Sequence, residues 1–137
     1  MALVLDTGPL LAALDVADPD HRRCASLLSE TNEDLVVPIL VLAELDYWCH
    51  RRLGSAAWIS FMEDLLGGAY RPETATVSDL RRCREIQVQY EDQPVGVVDA
   101  SVLALVERLG EHKLATLDHR HFGVLRPAHV EALELLP

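Results

Sequence analysis

Short apolar runs, each too brief for a helix, alternate along this chain with longer stretches whose apolar residues recur at helical spacing. Ala2-Leu3-Val4-Leu5 predicts a buried strand. Thr7-Gly8-Pro9 then turns the chain into an apolar helix over 10–14. Asp18-Pro19-Asp20 predicts a helix start, with Asp as cap and Pro in the first helical position, and that helix runs to about residue 29. Leu35-Val36-Val37 predicts a second strand. Pro38 opens a helix that runs to about residue 53 and stops at Gly54. A further helix over 55–66 ends at Gly67-Gly68. Residues 70–76 read as a strand, and Ser78 as the cap of a helix reaching about residue 90. Asp92-Gln93-Pro94 breaks it, and a helix over 97–109 is closed by Gly110. Residues 113–116 predict a strand and 123–125 a weak one. The apolar tail, 130–136, fits neither template decisively.

Short apolar strands alternating with helices imply an α/β fold with a parallel sheet covered on both faces. In such sheets the functional crevice lies beyond the carboxyl ends of the strands, where strand order reverses. Asp6 and Asp118 each follow a predicted strand. They meet at that crevice if their strands are neighbours.

The 137 residues, half of them hydrophobic, suit one domain over 1–137 with a substantial core. A charged fraction of 25% without low-complexity stretches argues against disorder. No apolar run is long enough to span a membrane. Asp6 interrupts the apolar N-terminus early and no basic segment precedes it, so no secretory signal is expected. Cys24, Cys49 and Cys83 are odd in number and form no CxxC pair; they read as small buried hydrophobes in a reducing cytoplasm. The net charge of −10 does not advertise nucleic-acid binding, so any nucleic-acid reading must answer it.

Four acidic residues occupy positions that the pattern gives to apolar side chains. Asp6 ends its strand, Glu44 lies inside Ile39-Leu40-Val41-Leu42-Ala43-Glu44-Leu45, Asp99 follows Val97-Val98, and Asp118 follows Leu114-Ala115-Thr116-Leu117. Each has an ordinary explanation. Asp6 could accept backbone N–H bonds in a strand-to-helix turn. Asp99 could cap a helix and suit its macrodipole, and Asp118 could cap a short turn over 119–122. Glu44 is harder to explain, since Leu40, Val41 and Trp48 are its helical neighbours and no cation shares that stripe.

A buried carboxylate is costly unless something pairs it, and no Lys or Arg stands beside these four within their own runs. Two carboxylates ~5 Å apart repel by roughly 3 kcal/mol at an effective dielectric near 20. A cluster of four would raise one another's pKa values. A shared divalent cation reverses the sign of that interaction, and all-oxygen ligation selects Mg²⁺ or Mn²⁺. Such an ion can activate a water and stabilise the leaving oxygen in phosphodiester hydrolysis.

Other features carry less. His119 and His121 read as a solvated pair, and Trp48, Trp58 and Phe61 as core. Arg51-Arg52, Arg81-Arg82-Arg84, Arg120 and Arg126 are candidate phosphate contacts or solvated helix faces. There is no GxGxxG and no phosphate-binding P-loop.

With these residues in hand, the chain resembles the PIN-domain ribonucleases, and among them the VapC-type toxins of bacterial toxin–antitoxin pairs. The resemblance rests on Val4-Leu5-Asp6-Thr7-Gly8-Pro9-Leu10, Val41-Leu42-Ala43-Glu44, Gly96-Val97-Val98-Asp99-Ala100-Ser101 and Leu114-Ala115-Thr116-Leu117-Asp118, in that order. It implies a Rossmann-like α/β/α sandwich with a short, mostly parallel central sheet. It also implies a metal-dependent endoribonuclease in which Asp6, Glu44, Asp99 and Asp118 hold Mg²⁺ or Mn²⁺. Thr116 matches a hydroxyl position at such sites, and members often carry Asn where Asp118 stands. The implied partners are an RNA substrate, a VapB-type antitoxin and a second copy in a homodimer, with the apolar helices over 39–49 and 55–66 as candidate surfaces. Four of the acidic residues would belong to the site, and bound divalent ions would offset about four units of charge.

Two other readings remain. A haloacid dehalogenase-type phosphatase also places an Asp after the first strand, but needs a second Asp where this chain has Gly8. A non-catalytic α/β binding module would leave all four acids structural.

Overall fold

The computed structural model describes residues 1–137 as a five-stranded sheet with seven helices. The first half runs β1 (Ala2–Leu5), α1 (Thr7–Leu14), α2 (His21–Glu30), β2 (Asp34–Pro38), α3 (Ile39–Arg52) and α4 (Ser55–Leu66). The second runs β3 (Arg71–Glu73), α5 (Val77–Gln89), α6 (Val97–Leu109), β4 (Lys113–Ala115), α7 (His119–Val124) and β5 (Glu134–Leu136).

Strand order is β3-β2-β1-β4-β5 and every pairing is parallel, so the expected mostly parallel sheet is wholly parallel. All four residues of β1 are buried, which suits a strand with neighbours on both edges and helices above and below. β1 pairs with β2 through Leu3↔Leu35 and Val4↔Val36, and with β4 through Val4↔Leu114 and Leu5↔Ala115. The order therefore reverses between β1 and β4, and the crevice of an open α/β sheet falls there.

Helix α6 is apolar nearly all round, and every residue over 100–106 is buried. A helix of this kind belongs in the core rather than on a surface. It packs against α5, α3 and strands β1 and β2, and it ends at Gly110, whose φ of 67° is the left-handed C-cap that glycine accepts without strain.

Several local expectations need correction. Helix α1 starts at Thr7 rather than residue 10, because the Asp6 side chain caps it directly. Asp18-Pro19 does not start a helix: Asp18 Oδ1 accepts from the Asp20 amide in a turn, and α2 begins at His21. Thr76, not Ser78, caps α5, through a reciprocal box with Asp79. Residues 123 and 124 finish α7 instead of forming a strand, since Asp118 starts a helical turn just upstream. The ambiguous tail supplies the last strand, β5, paired to β4.

Candidate active site

The site grows from the end of β1. The Asp6 amide donates to Ala115 O at 2.9 Å, closing the β1–β4 ladder. Its side chain then turns into the N-cap of α1, where Oδ1 accepts from the Thr7 amide at 2.8 Å. Oδ2 accepts from the Thr116 hydroxyl at 2.9 Å. Thr116 is fully buried just beyond β4; its amide donates to Leu136 O in the tail, and its hydroxyl oxygen accepts from the Asp118 amide at 3.0 Å. One threonine thus ties three parallel strands to two of the predicted acids. Asp118 in turn caps α7, with Oδ1 accepting from the His121 amide at 3.0 Å.

The other two acids arrive on helices. Glu44 lies mid-way along α3, and Asp99 in the first turn of α6, three residues past the Gly96 cap. Asp99 therefore faces the positive end of a buried helix without capping it. All four carboxylates line a single cleft of about 450 Å³ together with Thr7, Gly8, Trp48 and Arg52. A comparable hollow between α5 and α7, beside Tyr90 and Arg126, has no such convergence of acids.

The structure grades these acids more finely than the hydrophobic pattern did. Only Asp6 is buried, at 7% exposure; Glu44 and Asp99 are half-buried and Asp118 is exposed. They line an open cleft rather than the interior, so the apolar run around each one belongs to the backbone element and not to the carboxylate.

None of the four is ion-paired to Lys or Arg; the basic contact is His121 Nε2, 3.2 Å from Asp99 Oδ2 without hydrogen-bond geometry. The negative charge is therefore largely uncompensated. Burial lifts the Asp99 carboxyl to about 6, helped by the charges of Asp6, Glu44 and Asp118 and opposed by His121. Burial also raises Asp6 above the usual carboxylate range, against the lowering effect of its bonds from Thr7 and Thr116.

The donor chemistry fits a hard divalent cation: carboxylates without a Lys or Arg partner, two of them pushed toward the protonated form by burial and then by neighbouring acids, with the buried Thr7 hydroxyl left without a partner. The carboxylates surround the cleft without already converging as a closed ligand set of three or more. An ion would have to draw them inward.

Three features were not legible as site or fold residues. His121 reads in sequence as solvated, yet it packs on Phe122 and against Asp99. Arg82 is no phosphate contact, since it holds Glu107 through two bonds of 2.7 and 3.0 Å. Asp79 is more buried than any of the four candidates, at 4%, but Arg108 pairs it at 3.0 Å and the Thr76 amide bonds it. It is the structural acid that the four are not.

The PIN domain model matches residues 3–125 of the chain. The protein belongs to the PIN-domain family. At the level of individual relatives, it is similar to Ribonuclease VapC26 of Mycobacterium tuberculosis, 35% identical over 91% of this chain and 93% of that protein. Among solved structures, M. tuberculosis VapC20, described as a sarcin–ricin loop cleaving toxin, aligns with a TM-score of 0.80 at 20% identity, over 95% of this chain and 99% of that one. VapBC2 of Rickettsia felis, solved bound to a fragment of promoter DNA, aligns with a TM-score of 0.73 at 18% identity over both full chains. These two likenesses establish the fold. Family membership also sets aside the phosphatase reading. Where that reading needs a second Asp, a Cβ at Gly8 would stand 3.3 Å from the Leu117 side chain.

Proposed function

We propose that the protein is a divalent-metal-dependent endoribonuclease, the toxin of a toxin–antitoxin pair, whose single domain holds Mg²⁺ or Mn²⁺ through Asp6, Glu44, Asp99 and Asp118. The observation that carries this reading is the lining of one cleft, at the switch point of the sheet, by four carboxylates without a Lys or Arg partner, in a PIN chain similar to a VapC ribonuclease.

When bound there, a divalent cation supplies the charge that keeps the carboxylates ionised and the acidity that activates a water toward a phosphodiester. The chain's own residues set the geometry. Asp6 is locked by the Thr7 amide on one oxygen and the Thr116 hydroxyl on the other, so its remaining lone pairs point in a fixed direction. Thr116 positions; it does not touch substrate. Asp118 keeps one oxygen on the α7 backbone while the residue lines the cleft. Asp99 rides on the most buried helix, so its backbone has little freedom to move.

RNA is the substrate this reading assigns, and the net charge of −10 makes binding weak and salt-sensitive without metal. A VapB-type antitoxin is the proposed protein partner, supported by solved toxin–antitoxin assemblies of the same fold, and a homodimer is the proposed oligomer. The exposed Tyr47 and Ile59 on α3 and α4 offer apolar surface for one of these contacts.

The test is cleavage of a defined RNA by the purified protein with Mg²⁺ or Mn²⁺, with EDTA, and with Asp6→Asn and Asp99→Asn. Cleavage that needs metal and disappears in both variants is the expected result. Full cleavage by the folded variants overturns the assignment.

A further inference from the structure

Glu44, Trp48 and Arg52 follow one another at helical i, i+4 spacing on α3, and all three line the acidic cleft. The stripe leads from the proposed ligand Glu44 to an exposed Arg52 whose backbone lies about 12 Å further along the helix axis and whose side chain reaches back over Trp48. The Arg52 guanidinium carbon lies 5.2 Å from the Trp48 ring centroid, within cation–π range, and Tyr47 packs edge-on against the same indole. Arg52 is thereby held at the lip without an acidic partner, although four carboxylates line the same cleft.

Its position, rather than the lack of an acidic partner alone, sets Arg52 apart. Five of the twelve basic side chains are held in ion pairs with acids elsewhere: Arg23, Arg71, Arg82, Arg108 and Lys113. Of the unpaired ones, Arg52 alone lines the acidic cleft. In a chain so acidic, an Arg kept off every carboxylate and fixed beside the site is placed for an anion arriving from outside.

We infer that Arg52 is a substrate-positioning residue: it grips a backbone phosphate of the RNA beyond the scissile one, and Trp48 is the platform that aims it. The inference deepens the ribonuclease reading and rests on it. A planar, always-charged guanidinium suits a phosphate, and its seat over Trp48, one helical turn beyond Glu44, places that phosphate beside the cleaved bond rather than at it.

The experiment compares wild type, Arg52→Ala, Arg52→Lys and Arg51→Ala for cleavage of a single-stranded oligoribonucleotide with Mn²⁺ at several salt concentrations. Arg51 is exposed, adjacent and outside the cleft, so it controls for simple loss of charge. Arg52→Ala is expected to raise KM about five- to tenfold with kcat little changed. It should also flatten the slope of log(kcat/KM) against log salt by about 0.7, the share of one single-strand phosphate contact. Arg52→Lys keeps most of the slope, and Arg51→Ala moves neither quantity. A purely structural role for Arg52 would not change the salt slope. Wild-type KM and slope in Arg52→Ala, or an equal effect of Arg51→Ala, overturns the positioning role while the ribonuclease reading stands. Loss of affinity for a protein partner with RNA kinetics intact overturns it in favour of a protein contact. Absence of any RNA cleavage by the wild type fells both readings together.

Discussion

The Thr116 hydroxyl donates to Asp6 Oδ2 at 2.9 Å, across the parallel pair of strands between which the strand order reverses. Both residues are buried, and 110 positions of sequence separate them. The bond does two things at once. It satisfies a carboxylate oxygen that water barely reaches, and it fixes the angle from which that carboxylate faces the cleft.

Replacing Thr116 by Val keeps the shape and removes the donor. Urea unfolding should show a loss of about 1–3 kcal/mol, the usual cost of stranding a buried polar oxygen. Metal affinity or turnover should fall about 10- to 100-fold, as when a group that orients a ligand is lost. Thr116→Ser should recover most of both, and equal damage from Ser and Val would show that the methyl group, not the hydroxyl, matters.

Asp99 sets a pH dependence. Its folded pKa of about 6 lies well above the 3.8 of an ordinary aspartate, so the folded state holds its proton more tightly than the unfolded chain. Stability from this group is therefore present below the unfolded pKa and drains away as pH rises to about 6. Asp99→Asn should melt with wild type at about pH 3, below the unfolded pKa, and above it at pH 7.5, in EDTA. Manganese should narrow the wild-type deficit as pH rises, since ion and proton compete for the same oxygens. Melting curves across pH decide it, and a variant no more stable at pH 7.5 contradicts the raised pKa.

Manganese itself should stabilise the wild type. At a hundredfold excess over Kd, one-site linkage gives about 2.7 kcal/mol. The upward shift in Tm should vanish in Asp6→Asn. A flat wild-type titration would favour a chain whose acids are merely structural.

Asp79 provides the contrast. Asp79→Asn removes the charge that faces Arg108 and weakens the box that starts α5. We expect a loss of about 1–3 kcal/mol in stability with metal-dependent cleavage retained. Loss of cleavage in a folded Asp79→Asn protein would mean that α5 contributes to the site.

Much of this was legible in the chain because the signals were local. Residues 2–5 could only be a buried strand, and the apolar run over 97–109 closed by Gly110 could only be a core helix. The meeting of Asp6 with Asp118 needed one further fact, that β1 and β4 are neighbours, and the parallel α/β pattern made it the natural arrangement. What stayed hidden depended on distant partners. Thr76 outcompetes Ser78 as a cap because Asp79 answers it, and Arg108, which steadies Asp79, lies 29 residues on. The tail becomes a strand only because β4 offers an edge to pair with. His121 meets Asp99 through the fold and through nothing in its own neighbourhood of sequence.

The sheet is unevenly supported, and that asymmetry bears on how the molecule fails. Asp6, Glu44 and Asp99 sit on a central strand and two long helices. Asp118 hangs from the three-residue β4 and the six-residue α7, against the equally brief β5 at the margin. Warming should loosen that margin first, so amide exchange there speeds up and one corner of the cleft drifts open while most of the ellipticity survives. Inactivation would then precede melting, and the gap between the two temperatures would measure how firmly the chain from β4 onward is pinned.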